Sequence, residues 1–139
     1  MVMITCVEDR DGTMFNNRRL SMDSVVYRKI LELASGKKLW TDAGAGRLFR
    51  ETGMAAAAGV LEDADFLNKA EDGDFCFVEG QDMADVRDRL EGIILFYWNR
   101  KYPADRYFDR SLLEGFRLKR REEFPGSSHE KLTMEVYER

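Results

Sequence analysis

Residues 116–137 read Phe-Arg-Leu-Lys-Arg-Arg-Glu-Glu-Phe-Pro-Gly-Ser-Ser-His-Glu-Lys-Leu-Thr-Met-Glu-Val-Tyr. Phe116–Phe124 and Lys131–Tyr137 each alternate in polarity, which is the period of a half-buried strand. Pro125-Gly126-Ser127-Ser128 between them supplies turn residues. The stretch therefore predicts two antiparallel strands that close the fold as a hairpin.

Upstream of it, strand and helix signals alternate. Met3–Glu8 reads as a buried strand and Asp9-Arg10-Asp11-Gly12 as a turn. Met14–Arg19 carries no clear periodicity. A helix is predicted over 22–35, with Ser21 or Asp23 as N-cap and an apolar face of Val26, Ile30, Leu33 and Ala34. Gly36 stops it. Lys38–Thr41 is a short strand, and Gly44-Ala45-Gly46 leads into a helix over 46–52. Ala55–Leu61 reads as a strand, and Asp63 or Asp65 caps a short helix with Phe66, Leu67 and Ala70. Asp74–Glu79 is strand, 82–90 helix, Ile93–Trp98 a core strand, and Tyr102–Asp105 a turn or loop.

Alternating strands and helices build a parallel sheet with helices on both faces. The hairpin adds an antiparallel edge. The expected class is thus α/β: a mixed, mostly parallel twisted sheet flanked by helices, with a C-terminal antiparallel hairpin. No repeat, linker or low-complexity segment interrupts the pattern, so residues 1–139 are expected to form a single α/β domain.

Composition narrows the functional classes. The 139 residues are 44% hydrophobic and 35% charged, with a net charge of -4, which describes a globular chain and argues against a protein that wraps a nucleic-acid backbone. Basic residues cluster locally at Arg18-Arg19 and at Arg117 to Arg121, which leaves room for an anion site. Cys6 and Cys76 each sit within an apolar run, as buried free thiols do; a disulfide between two core strands is the alternative. The longest apolar run, Ile93–Trp98, is too short for a signal peptide or a membrane span. A cytoplasmic location is expected. Exposed strand edges beside the terminal hairpin would accommodate a homodimer.

Several segments resemble dihydrofolate reductase. Ile4–Asp9, Gly12 and Phe15-Asn16-Asn17 are similar to that family's first strand and the loop before its first helix. Asp23-Ser24-Val25-Val26-Tyr27 is similar to its first helix start, and Phe75–Gly80 to the strand that ends over the cofactor. Ile93–Arg100, Asp105–Asp109, Phe116 and Ser127–Arg139 follow its last three strands. Phe15–Arg19, Trp98–Pro103 and Gly126–Lys131 also resemble motifs of a small bacterial family whose members are sometimes labelled ribonuclease Z.

The resemblance implies particular roles. Asp23 would bind and help protonate a planar heterocycle such as a pterin, with Tyr27, Arg18 and Arg19 around the same substrate. Gly46, Arg47, Glu79 and Gly80 would hold NADPH. Three departures stand against this. Arg19-Leu20-Ser21 replaces the family's Leu-Pro-Trp, Phe49 replaces the threonine of its Gly-Arg-x-Thr, and Glu79-Gly80 replaces its Gly-Gly. A carboxylate at position 79 would face a pyrophosphate, and like charges at short range repel.

The residues by themselves also allow plainer readings. Asp23 is a helix N-cap, Gly44-x-Gly46 a turn lacking the third glycine of a dinucleotide fingerprint, and Arg18-Arg19 a solvated loop. Trp98 to Pro103 with Tyr107-Phe108 would either stack on a planar ligand or pack into the core. His129 is the one histidine, so a His-rich zinc hydrolase site is excluded and no metal is expected. That histidine has no identifiable partners in the sequence, and no Ser-His-Asp or Cys-His set is drawn from it.

Two functions follow. One is a small-ligand-binding or interaction module whose reductase-like scaffold has eroded cofactor motifs, with a small planar or anionic ligand. The alternative is an NADPH-dependent reductase acting on a pterin-like or other planar heterocycle.

Overall fold

A computed structural model describes residues 1–51 and 59–139. Among the described residues, ten strands and three helices run in the order β1 (Val2–Val7), β2 (Gly12–Phe15), β3 (Arg18–Arg19), α1 (Ser24–Leu33), β4 (Lys38–Thr41), α2 (Ala43–Glu51), β5 (Gly59–Glu62), α3 (Phe66–Lys69), β6 (Phe75–Phe77), β7 (Gly92–Tyr97), β8 (Arg106–Tyr107), β9 (Arg117–Phe124) and β10 (Leu132–Glu138). Two 3₁₀ turns, Ala84–Arg89 and Arg110–Leu113, are also present among the described residues.

Seven strands form one sheet in the order β5-β4-β6-β1-β7-β10-β9. The five from β5 to β7 are mutually parallel, and β10 and β9 run antiparallel to their neighbours. Thr5 lies opposite Leu95, and Ile94 opposite Val136, so the terminal hairpin joins the sheet that β1 begins. The expected mixed sheet and its antiparallel edge are both present.

Side-chain alternation divides the core in two. Ile4, Ile94, Phe96, Leu132 and Met134 face α1 and α2, where Val26, Tyr27, Ile30, Leu31 and Phe49 are buried. Met3, Val7, Ile93 and Leu95 face the other way, against Phe66, Val86, Leu90, Phe108 and Leu112. Each fully buried apolar side chain of this size contributes about 1.5–3 kcal/mol relative to exposure. Trp98 and Phe108 both pack into this core. Both cysteines are free thiols. Among the described residues, no helix is long and apolar enough to cross a membrane.

The segment around Met14–Arg19, which lacks periodicity, is a hairpin. Phe15 pairs with Arg18, and Asn16 and Asn17 join them with φ of 51° and 58°. Two successive left-handed residues suit the right-handed twist of the flanking strands, and asparagine tolerates that region better than most residues. With β8 they form a second, three-stranded sheet in the order β3-β2-β8.

Helix α2 also differs from expectation. It starts at Ala43 rather than at residue 46, because the Asp42 side chain caps it by accepting the Ala45 N–H at 2.9 Å. In place of the α-helix expected over 82–90 there is a 3₁₀ turn, Ala84–Arg89. The strand expected over Ala55–Leu61 lies mostly outside the described residues; β5 is seen from Gly59.

Candidate functional site

The carboxyl ends of β1, β4 and β6 converge beneath the β2–β3 ribbon. Parallel sheets of this kind place ligands at that end. Ser21, Asp23 and the start of α1 approach from one side, and the turn between β9 and β10 closes over them.

Arg19, on β3, grips Glu79 just past β6. Its Nε donates to Oε2 and its Nη2 to Oε1, each at 2.9 Å. The paired geometry is the strong form of a charge-assisted contact. The Glu79 side chain is only 12% exposed, and the carboxylate raises the Arg19 pKa above its ordinary value. Below this pair lies what remains of the central cleft, about 10 Å³ between Thr5, Cys6, Leu20, Tyr27, Phe77 and Trp98. Burial pushes the Cys6 thiol and the Tyr27 phenol well up, so both stay protonated at neutral pH. Tyr27 packs edge-on against Phe49 and Phe77, with centroids 5.8 and 6.4 Å away.

On the outer side of the same pair a cavity of about 610 Å³ opens between the ribbon and the start of α2. Met14, Arg18, Arg19, Ser21, Asp42 and Glu79 are on its wall. Arg18 is exposed.

Asp23 is 2% exposed yet fully satisfied. Its Oδ1 accepts the N–H groups of Val25 at 2.9 Å and Ser127 at 3.0 Å, and the Ser127 hydroxyl at 3.1 Å. Its Oδ2 accepts the Ser128 N–H at 2.9 Å and the Ser128 hydroxyl at 3.2 Å, and faces His129 Nδ1 at 3.0 Å. These donors outweigh the cost of burial and hold its pKa well below the usual carboxylate range. The capping role expected for Asp23 is present, and the acid also ties α1 to the terminal hairpin.

His129 departs most from expectation. It is buried, and it has the partners that the sequence did not identify. Beyond Asp23 on Nδ1, its Nε2 lies 3.0 Å from Ser21 Oγ and 3.3 Å from the Tyr102 hydroxyl. Trp98 stacks on the ring at 5.0 Å and 27°. The ionised Asp23 favours a proton on Nδ1, which leaves Nε2 as an acceptor facing Ser21. Sequence reasoning missed the set because its members sit at positions 21, 23, 98, 102 and 129, and only the hairpin's return brings them together. The signal available was a lone histidine in a Gly-Ser-Ser-His turn, close in residue type to what a buried carboxylate accepts.

The other predicted positions are dispersed. Gly46 lies inside α2, where a Cβ would collide with the Glu62 carboxylate, itself paired with Arg50. Arg47 is exposed and reaches Glu51 at 3.5 Å. Gly80 has φ of +90° and lies under Met14, whose sulfur would be 2.7 Å from an added Cβ. Arg18, Arg19 and Glu79 share the outer cavity, while Gly46, Arg47 and Gly80 are not on it. A pyrophosphate at the start of α2 would meet the Asp42 carboxylate, which already caps that end.

Among solved structures, the fold has a counterpart. A dihydrofolate reductase from Enterococcus faecalis, complexed with NADP(H) and RAB-propyl, superposes with a TM-score of 0.67 over 99% of this chain and 95% of that one, at 8% identity. The chain therefore has the dihydrofolate reductase-like fold. No protein-family model and no curated protein matches the sequence.

Proposed function

We propose that this chain is a small-ligand-binding module on a dihydrofolate reductase-like scaffold, taking a compact planar or anionic ligand in the cavity between the β2–β3 ribbon and α2. One observation carries the reading. The Arg19–Glu79 pair and Leu20 fill the central cleft, while about 610 Å³ stays open on the outer side beside Arg18. An exposed guanidinium on a cavity wall offers a flat, forked donor to a carboxylate or phosphate.

Several features speak against the reductase alternative. The Asp42 side chain already caps the start of α2, Gly80 lies under Met14, and Asp23 has no free acceptor position facing a heterocycle. Fold by itself decides neither way.

A thermal-shift titration separates the two. Phenyl phosphate, planar and anionic, should raise the melting temperature, and Arg18→Ala should remove the rise. A ligand at 100 times its dissociation constant stabilises a fold by about 2.7 kcal/mol, which such a titration resolves. Millimolar NADPH should give no shift. A shift with NADPH that Arg47→Ala abolishes would restore the reductase reading.

A further inference from the structure

We infer that Ser21 is a nucleophile activated by His129, and that the module acts on small acyl esters. The inference rests on the outer cavity accepting a ligand and adds a reaction to it. Four observations carry it. Ser21 Oγ lies 3.0 Å from His129 Nε2, and His129 Nδ1 lies 3.0 Å from Asp23 Oδ2. This is the order of groups that activates a hydroxyl: nucleophile, base, and an acid that orients the base. Asp23 is kept ionised by its donors, so the imidazole tautomer is fixed. Ser21 is half-buried and borders the cavity of about 610 Å³, whereas Asp23 and His129 lie behind it, shielded from water. The Tyr102 hydroxyl stands 3.3 Å from both Ser21 Oγ and His129 Nε2, and by donating to Ser21 Oγ it holds the hydroxyl beside its base.

The chemistry balances with water as the only co-reactant. Ser21 Oγ attacks the acyl carbon and forms the new C–O bond, while its proton passes to His129 Nε2. The bond to the leaving alcohol breaks, and its oxygen takes that proton. Water then attacks the acyl-serine by the same route, releasing the acid and restoring Ser21. Asp23 is a positioning residue: it touches only the imidazole and its own donors. Trp98, stacked on the ring, holds the imidazole plane.

The test uses a compact fluorophosphonate, which loses fluoride as Ser21 Oγ bonds to phosphorus. Intact mass and peptide mapping should show one adduct, on Ser21. Ser21→Ala should abolish it and keep a cooperative melt, since only one partly exposed hydroxyl is removed. His129→Gln should slow labelling about 100-fold or more, the usual worth of a positioned base. Because His129 is buried, its variant counts only if its melt stays cooperative, and Ser21→Ala carries the decision. Hydrolysis of 4-nitrophenyl acetate should vanish in Ser21→Ala. An adduct on Ser24, Ser127 or Ser128 instead, or labelling no faster than in urea-unfolded protein, overturns the inference. If phenyl phosphate binds but Ser21 is not modified, the reaction fails while the ligand site stands. If Ser21 is modified and phenyl phosphate gives no shift, the anion reading fails while the nucleophile stands.

Discussion

Arg19 holds Glu79 through two nitrogens at 2.9 Å each, and the space bordered by this clasp, Tyr27 and Trp98 is only about 10 Å³. The clasp also pins the β2–β3 ribbon onto the end of the main sheet.

Breaking one side of the clasp should cost more than removing both. Arg19→Met leaves the Glu79 carboxylate nearly buried without its partner, a loss of about 1–3 kcal/mol. The double variant with Glu79→Gln should recover part of it. Urea unfolding of the two single variants and the double measures the coupling. Strictly additive losses would mean that the pair is idle.

Asp23 should impose an acid limit. Its folded pKa lies below the unfolded value of about 3.9, so its stabilisation is complete above that value and fades as pH falls through and below it. Asp23→Asn should be less stable than the parent near pH 7, and the gap should narrow below about pH 4. Urea midpoints from pH 7 to 2 follow this. A gap that stays constant across the range would show that the charge of Asp23 contributes nothing.

Gly126 should resist even alanine. A Cβ there would collide with the Asp23 carboxylate and come within 2.8 Å of Leu132 Cδ1. Gly126→Ala should destabilise by about 1–3 kcal/mol, as overpacking does. It should also loosen the turn whose Gly126 N–H donates to the His129 carbonyl at 2.9 Å. Thermal unfolding gives the first effect and amide exchange at Gly126 the second.

The ribbon turn should discriminate sharply by residue type. Asn17 has φ of 58°, so Asn17→Gly should be neutral or mildly stabilising. Asn17→Ile should cost about 1–2 kcal/mol, because a branched side chain meets the backbone in that region. Equal stabilities for the two variants would contradict the turn geometry.

Much of the scaffold was legible in the residues. The continuous apolar runs of β1 and β7 predicted central strands, the Pro-Gly-Ser-Ser turn predicted the closing hairpin, and Asp23 was readable as a cap. The expected half-buried alternation of the hairpin strands is not seen, since Leu132, Thr133 and Met134 are all buried and β9 is mostly exposed. Two features were not. The ribbon over Gly12–Arg19 is too short for periodicity, and its one cue was the Asn16-Asn17 pair. The start of α2 followed the cap chemistry of Asp42 rather than the glycines, which attract attention as phosphate binders, although Gly46 here serves close packing against Glu62. The His129 cluster needed the three-dimensional return of the hairpin, since nothing local distinguishes a histidine in a turn from one over a carboxylate.

The position of β10 between β7 and β9 sets an order of events at the ribosome. Before β10 emerges from the exit tunnel, the whole β7 edge, Gly92 to Tyr97, has no partner on that side, and Asp23 has none of its donors from Ser127 or Ser128. A nascent chain halted there carries an apolar strand edge of the kind that recruits other chains. One strand thus serves two ends: pairing β10 with β7 covers that edge, and the same step brings the serine turn down onto the buried acid.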